Sequence, residues 1–178
     1  MKKLVLTLIA DDRPGLLEAI ANVVVDHGGN WLESRFAQLS GKFAGIVNVE
    51  VPAGRADTLV AAFAALKASG LESLVSHGGE GLPPPSGAAM ELEIVGADHP
   101  GIVHEITELL AARQVNVEEM SSDRKPASMS GSALFEAWLR VRVPPGIDRA
   151  GLRGDLEQLA RDLVVEVRVT EAEAKSRD

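Results

Sequence analysis

The amino-acid sequence predicts an α+β protein made of two β-α-β-β-α-β units in tandem, each a four-stranded antiparallel sheet with two helices on one face. Three observations carry this. A motif occurs twice, as Asp12-Arg13-Pro14-Gly15-Leu16-Leu17 and as Asp98-His99-Pro100-Gly101-Ile102-Val103, at a shift of 86 residues. The same shift carries Leu6 to Leu92, Ile20 to Ile106, Asn30 to Asn116 and Glu33 to Glu119 without a gap. Within each copy the apolar pattern also changes in the same order: a strand-like run, a helical stripe, two strands, a second stripe and a last strand.

The first copy occupies residues 1–77. Leu4 to Ala10 is a nearly continuous apolar run, which predicts a central strand covered on both faces. Pro14 fits the first turn of a helix, where its missing N–H costs nothing. Leu16, Leu17, Ile20, Val23 and Val24 form one helical stripe, ended by Gly28 as a left-handed cap. Trp31 to Leu39 reads as a strand and Ser40-Gly41 as its turn. Phe43, Gly45, Val47, Val49 and Val51 alternate as a strand with one buried face. After Pro52-Ala53-Gly54, a second stripe of Leu59, Val60, Phe63 and Leu66 closes at Gly70, and Leu71 to Ser76 supplies the last strand.

Residues 78–88, including Gly78-Gly79-Glu80-Gly81-Leu82-Pro83-Pro84-Pro85-Ser86-Gly87, form a Gly/Pro linker whose prolines favour an extended connection. The second copy, 89–171, repeats the order over 90–96, 100–113, 116–123, 133–143, 148–162 and 163–170, and a charged tail follows at 172–178. The order is that of a ferredoxin-like unit. Such a unit leaves one sheet face bare; in the second copy that face should carry Leu134 and Trp138 beside Glu136, Arg140 and Arg142. Two copies, or two chains, are expected to pack there or edge to edge, so a homo-oligomer is expected.

The 178 residues are 46% hydrophobic and 25% charged, the balance of an ordinary globular protein, but only 3% aromatic. The core must therefore come from Val, Leu, Ile and Ala. The lack of cysteine excludes disulfides, thiolate metal sites and a cysteine nucleophile, and suits a reducing cytoplasm. The net charge of −8, from 18 basic and 26 acidic residues, argues against direct binding to nucleic acid, which needs clustered Lys and Arg to displace counterions. Residues 1–77 carry 7 basic and 8 acidic groups and residues 78–178 carry 11 and 18, so the second half is the better face for a basic partner. No apolar run approaches the ~20 residues of a membrane span. The apolar start is followed at once by Asp11-Asp12-Arg13-Pro14, which reads as a strand and its turn and not as a secretory signal.

Candidate chemistry gathers at the repeated motif. A helix N-terminus offers unpaired N–H groups and partial positive charge to a carboxylate, and Gly15 and Gly101 leave it open to close approach. Asp12 or Asp98 can meet an ammonium group, and Asn30 or Asn116 can bond either end of an α-amino acid. A second reading stands beside this one: the aspartates cap the helices, the prolines start them and the glycines permit the turn. Gly78-Gly79-Glu80-Gly81 lacks the Lys-Ser/Thr of a phosphate loop, and the four histidines lack metal-ligand spacing. No cofactor, metal or catalytic residue is expected. The segment Arg124-Lys125-Pro126-Ala127-Ser128-Met129-Ser130-Gly131-Ser132 replaces the tight Ser40-Gly41 turn of the first copy. Arg124, Lys125, Met129, Ser130 and Gly131 are its candidate partner or lid residues.

With this order of elements, Asp-x-Pro-Gly after each first strand and Asn opening each second strand, the chain resembles a tandem pair of ACT domains. More narrowly, it resembles the glycine cleavage system transcriptional repressor family. Two stretches carry that likeness. One runs from Asp12-Arg13-Pro14-Gly15-Leu16 through His27-Gly28-Gly29-Asn30-Trp31-Leu32-Glu33-Ser34 to Phe43-Ala44-Gly45-Ile46; the other is Ala127-Ser128-Met129-Ser130-Gly131-Ser132-Ala133-Leu134-Phe135-Glu136. The resemblance implies a regulator without catalytic machinery that senses a small amino acid, glycine among the candidates, at a domain interface. It would act through a protein partner such as a transcription factor. An amino-acid-sensing regulatory subunit of a metabolic enzyme is the alternative.

Overall fold

The computed structural model describes residues 1–78, 86–126 and 133–171; Met129, Ser130 and Gly131 of the expected loop lie outside them. The chain divides into two compact units, Met1–Leu82 and Pro83–Asp178. The first contains β1 (Lys2–Asp11), α1 (Leu16–Asp26), β2 (Asn30–Leu39), β3 (Lys42–Val51), α2 (Ala56–Ala65) and β4 (Leu71–His77). Its strands lie in the order β2-β3-β1-β4, every neighbour antiparallel. The second contains β5 (Ala88–Ala97), α3 (Ile102–Ala112), β6 (Asn116–Pro126), β7 (Ala133–Val143), α4 (Arg149–Leu163) and β8 (Val165–Glu171), in the order β6-β7-β5-β8. Both are the expected β-α-β-β-α-β units. The duplication extends to irregularities: β2 shifts register between Trp31 and Glu33, and β6 does so between the equivalent Val117 and Glu119.

Each unit has its own core between the helices and one sheet face. In the first, Leu4, Leu6 and Leu8 of β1 and Val47, Val49 and Val51 of β3 meet Leu16, Ile20 and Val24 of α1 and Leu59 and Phe63 of α2. In the second, Leu92, Ile94, Leu139 and Val141 meet Ile106, Leu110, Leu152 and Leu156. Each such side chain contributes on the order of 1.5–3 kcal/mol on leaving water. Ser40 and Gly41 both have positive φ, as the two-residue hairpin turn between β2 and β3 requires.

The structure corrects four expectations. β1 is covered on one face only: Leu4, Leu6, Leu8 and Ala10 are buried while Thr7 and Ile9 are exposed, because none of the unit's described residues lies over the second face. Leu17 is 46% exposed, since the narrow seam against the sheet admits only Leu16, Ile20 and Val24, with Val23 at its margin. The helices begin at Leu16 and Ile102, so Pro14 and Pro100 precede the N-cap glycines instead of standing in the first turn. Finally, β6 continues to Pro126 because its ladder with β7 extends to the pair Pro126–Ala133, which puts Arg124 and Lys125 in a strand and not in a loop.

Candidate functional site

The first turn is tied down at three points. The Asp12 N–H donates to the Gly41 carbonyl (2.8 Å), which pins the turn on the β2–β3 hairpin. Arg13 donates from Nη2 to the Ser69 carbonyl (2.7 Å), just before β4. Gly15, at φ +87°, is the N-cap, and its carbonyl accepts from the Ala19 N–H (2.9 Å) to open α1. A left-handed φ is the reason for glycine there. No side chain caps this N-terminus, so Asp12 does not play the capping role that its position suggests. The Asp12 residue is exposed, and its carboxylate has no hydrogen bond or ion pair among the described residues. The neighbouring Asp11 is engaged: it accepts a hydrogen bond from Lys42, which holds its carboxyl below the usual carboxylate range.

The second turn keeps the frame and changes the chemistry. The Asp98 N–H donates to the Ala133 carbonyl (2.9 Å), and Gly101, at φ +107°, is again the N-cap without a capping side chain. Here the carboxylate is occupied: Arg124 donates from Nε to Asp98 Oδ2 (2.5 Å). His99, in the place of Arg13, points Nε2 at the Leu163 carbonyl (2.9 Å) and Nδ1 at the Pro100 carbonyl (3.1 Å). The Leu163 contact is the largest cause of a His99 pKa raised above its ordinary 6.5; Pro100, Glu105 and Asp98 push the same way, against a lowering by burial.

The asparagines stand elsewhere. Asn30 opens β2 opposite Glu50, which itself pairs with Lys3 near the start of β1; its side chain donates to Glu50 Oε1 (3.4 Å). Asn116 opens β6 opposite Arg142. The turns follow the far ends of β1 and β5. At about 3.3 Å per residue, Asp12 and Asn30 are separated by roughly 25–30 Å along one sheet. A single amino acid cannot touch both within one unit. Asp12 with Gly15, and Asp98 with Gly101, remain together.

On the open face of the second sheet, Leu134, Glu136, Trp138, Arg140 and Arg142 alternate outward as expected. Charged pairs lace this face: Lys125 with Glu136, Arg168 with Glu93 (2.9 Å) and Arg142 with Glu118 (2.9 Å). A shallow concavity of about 450 Å³ beside Trp138 is lined by Glu93, Ser121, Asp123 and Glu136. Another, of about 630 Å³, lies at the start of α4 by Arg149 and Arg153. Neither includes a residue of the repeated turns. The reach of Arg13 and His99 to the last strand's approach is not among the sequence-based expectations. The signal was available: both copies carry a basic side chain directly after the motif's aspartate. The partnership of Arg124 with Asp98 left no such trace.

Two β-α-β-β-α-β units, each with a glycine-bearing turn between first strand and first helix, define a duplicated ferredoxin-like module. Comparison with protein families agrees: ACT-domain models match residues 2–71 and 90–161, and the chain belongs to the ACT-domain family, with two such domains in tandem. It is 28% identical over 162 residues to the glycine cleavage system transcriptional repressor of Escherichia coli (strain K12), covering 90% of this chain and 85% of that protein. Among solved structures, an unknown protein from Galdieria sulphuraria superposes with a TM-score of 0.86 at 24% identity, covering 97% of this chain and 99% of that one. A provisionally assigned glycine cleavage system transcriptional repressor superposes at 0.71 and 19% identity, covering 97% and 98%. These two likenesses speak for the fold. No helix among the described residues is long and apolar enough to cross a membrane.

Proposed function

We propose that this ACT-domain protein is a cytoplasmic, non-enzymatic regulator that binds a small amino acid at its repeated turns and acts through a protein partner. Likeness to the E. coli repressor makes glycine the first candidate and control of glycine cleavage genes the first candidate output. The observation that carries the reading is the first turn: a free carboxylate on Asp12 stands beside a helix N-terminus that no side chain caps, with open space above Gly15. The helix N–H groups suit a carboxylate and Asp12 suits an ammonium group. Glycine has no side chain to read, so these two groups must supply its recognition. A tenfold shift between two states needs only about 1.4 kcal/mol of differential affinity.

The open face of the first sheet is the proposed contact with a second copy. Ile9, Ile46 and Leu74 share it with Val5, Ala37 and Ala44, and they are largely exposed. Residues 1–77 are nearly neutral, so two copies meet there with little repulsion. Three strands of ten residues and a fourth of seven give roughly 600 Å² per partner, near the lower end of stable interfaces.

The ligand test is thermal stability with glycine, serine and alanine. A ligand at 100 times its dissociation constant adds about 2.7 kcal/mol, a readily visible melting shift. The output test is affinity capture from native cytoplasm with and without glycine. Recovery of a transcription factor supports the reading, and recovery of a metabolic enzyme replaces it with an enzyme's regulatory subunit. No stabilisation by any amino acid removes the sensing role.

A further inference from the structure

Arg13 and His99 occupy the same place in the repeat, and both reach the carbonyl two residues before the unit's last strand. Ser69 there precedes the left-handed Gly70, and Leu163 precedes the left-handed Val164. In each unit a basic side chain from the first turn therefore meets the carbonyl end of the second helical segment, where unpaired carbonyls and the helix dipole favour a cation. The tie spans 56 residues in the first unit and 64 in the second.

The two ties differ in one property. A guanidinium has only donors and stays charged at any ordinary pH. Imidazole has two nitrogens, and in His99 both face carbonyl oxygens, which only accept. The doubly protonated ring satisfies both contacts. The neutral ring donates to one, and its other nitrogen turns a lone pair toward an oxygen.

We propose that His99 is a pH-dependent latch on the β5–α3 turn, fully seated between Pro100 and Leu163 only as the imidazolium, while Arg13 holds the equivalent turn of the first unit independently of pH. The charges bearing on His99 are Glu105 of α3 and Asp98 of its own turn, the latter bonded by Arg124 of β6. On α4, Arg161 and Asp162 are both bonded to Gln158. The raised pKa fixes the sign: the latch's contribution is complete below 6.5 and is lost as pH rises through the higher folded-state value. This inference stands on the two carbonyl contacts and holds whether or not the turn binds an amino acid.

The test uses the full-length chain without ligand. Two-dimensional NMR of the imidazoles reads the His99 pKa directly, and hydrogen-exchange protection of the turn amides, corrected for intrinsic rates, is compared between the two units from pH 5.5 to 8.5. His99 should titrate above 6.5. Protection of the second turn should fall on raising the pH, tenfold for each unit of that elevation, with the first turn unchanged. His99→Arg should flatten the profile of the second turn, and Arg13→His should create one in the first. A His99 pKa at or below 6.5, or a wild-type second turn as insensitive to pH as the first, overturns the latch. The wild-type titration decides this even where a variant folds poorly.

Discussion

Arg124 bonds Asp98 across the β5–α3 turn, Nε to Oδ2 at 2.5 Å, and thereby makes the two motif aspartates chemically unequal. Asp12, the counterpart of Asp98, keeps a free carboxylate among the described residues. An ammonium group arriving at the second turn must displace a guanidinium; at the first no described side chain holds the carboxylate.

The first turn should therefore dominate amino-acid binding. Asp12→Ala is expected to remove most of any glycine-induced melting shift and Asp98→Ala to remove less. Arg124→Ala, by freeing Asp98, should strengthen binding at the second turn. Calorimetric titration of the three variants checks this, and Asn30→Ala and Asn116→Ala should leave the affinity at the turns unchanged. Equal losses from Asp12→Ala and Asn30→Ala would show that the ligand is not confined to the turn.

Capping separates the aspartates in a second way. Asp148 accepts from the Ala150 N–H (3.0 Å) and is a true N-cap of α4. Asp148→Ala should cost about 0.5–2 kcal/mol in urea unfolding. Asp12→Ala, which breaks no cap, should stay within about 0.5 kcal/mol of wild type, as surface substitutions do.

Glycine substitutions distinguish conformation from space. A Cβ at Gly15 meets nothing within 4 Å, so Gly15→Ala suffers only from its left-handed backbone, at about 1–2 kcal/mol. At Gly45 a Cβ would stand 2.3 Å from the Arg35 carbonyl and the Phe36 ring, which is itself stacked on Phe43 at 5.0 Å. Gly45→Ala should cost more, about 1–3 kcal/mol or above, since neighbouring backbone must move. Thermal melts of the two variants give the order directly.

Self-association should depend on the first sheet. Ile46→Asp combined with Leu74→Asp places charge on the apolar positions of the open face, in one cross-strand row with Arg35 and Thr7, and should shift sedimentation equilibrium toward the monomer without changing the melting temperature by more than a few degrees. An unchanged mass would move the interface elsewhere.

Direct binding to duplex DNA should be absent at physiological salt. With a net charge of −8 and no cluster of Lys and Arg in the sequence, there is little counterion release to drive it. A gel shift by the isolated chain whose strength falls steeply with added salt would contradict this.

The sequence by itself determined the duplication, the order of elements and most of the core. Strand alternation, helical stripes and Gly-Pro punctuation are local properties, and each is written within about ten residues. The internal repeat then checked every element against its twin, and Gly28, Gly70 and Ser40-Gly41 marked ends and turns where the backbone takes positive φ. Tertiary structure decided what those elements bring together. That Asp12 and Asn30 stand at opposite ends of one sheet follows from the antiparallel register of β1, β3 and β2 and from no local pattern. Leu17 lies outside the helical seam because the sheet limits the seam's width. Arg124 finds Asp98, and Arg13 and His99 find Ser69 and Leu163, only once the strands are paired, since each contact joins residues 26 to 64 positions apart. Hydrogen-bond partners at that separation are chosen by how strands align and helices pack, whereas periodicity reports only which face of its own element a residue occupies.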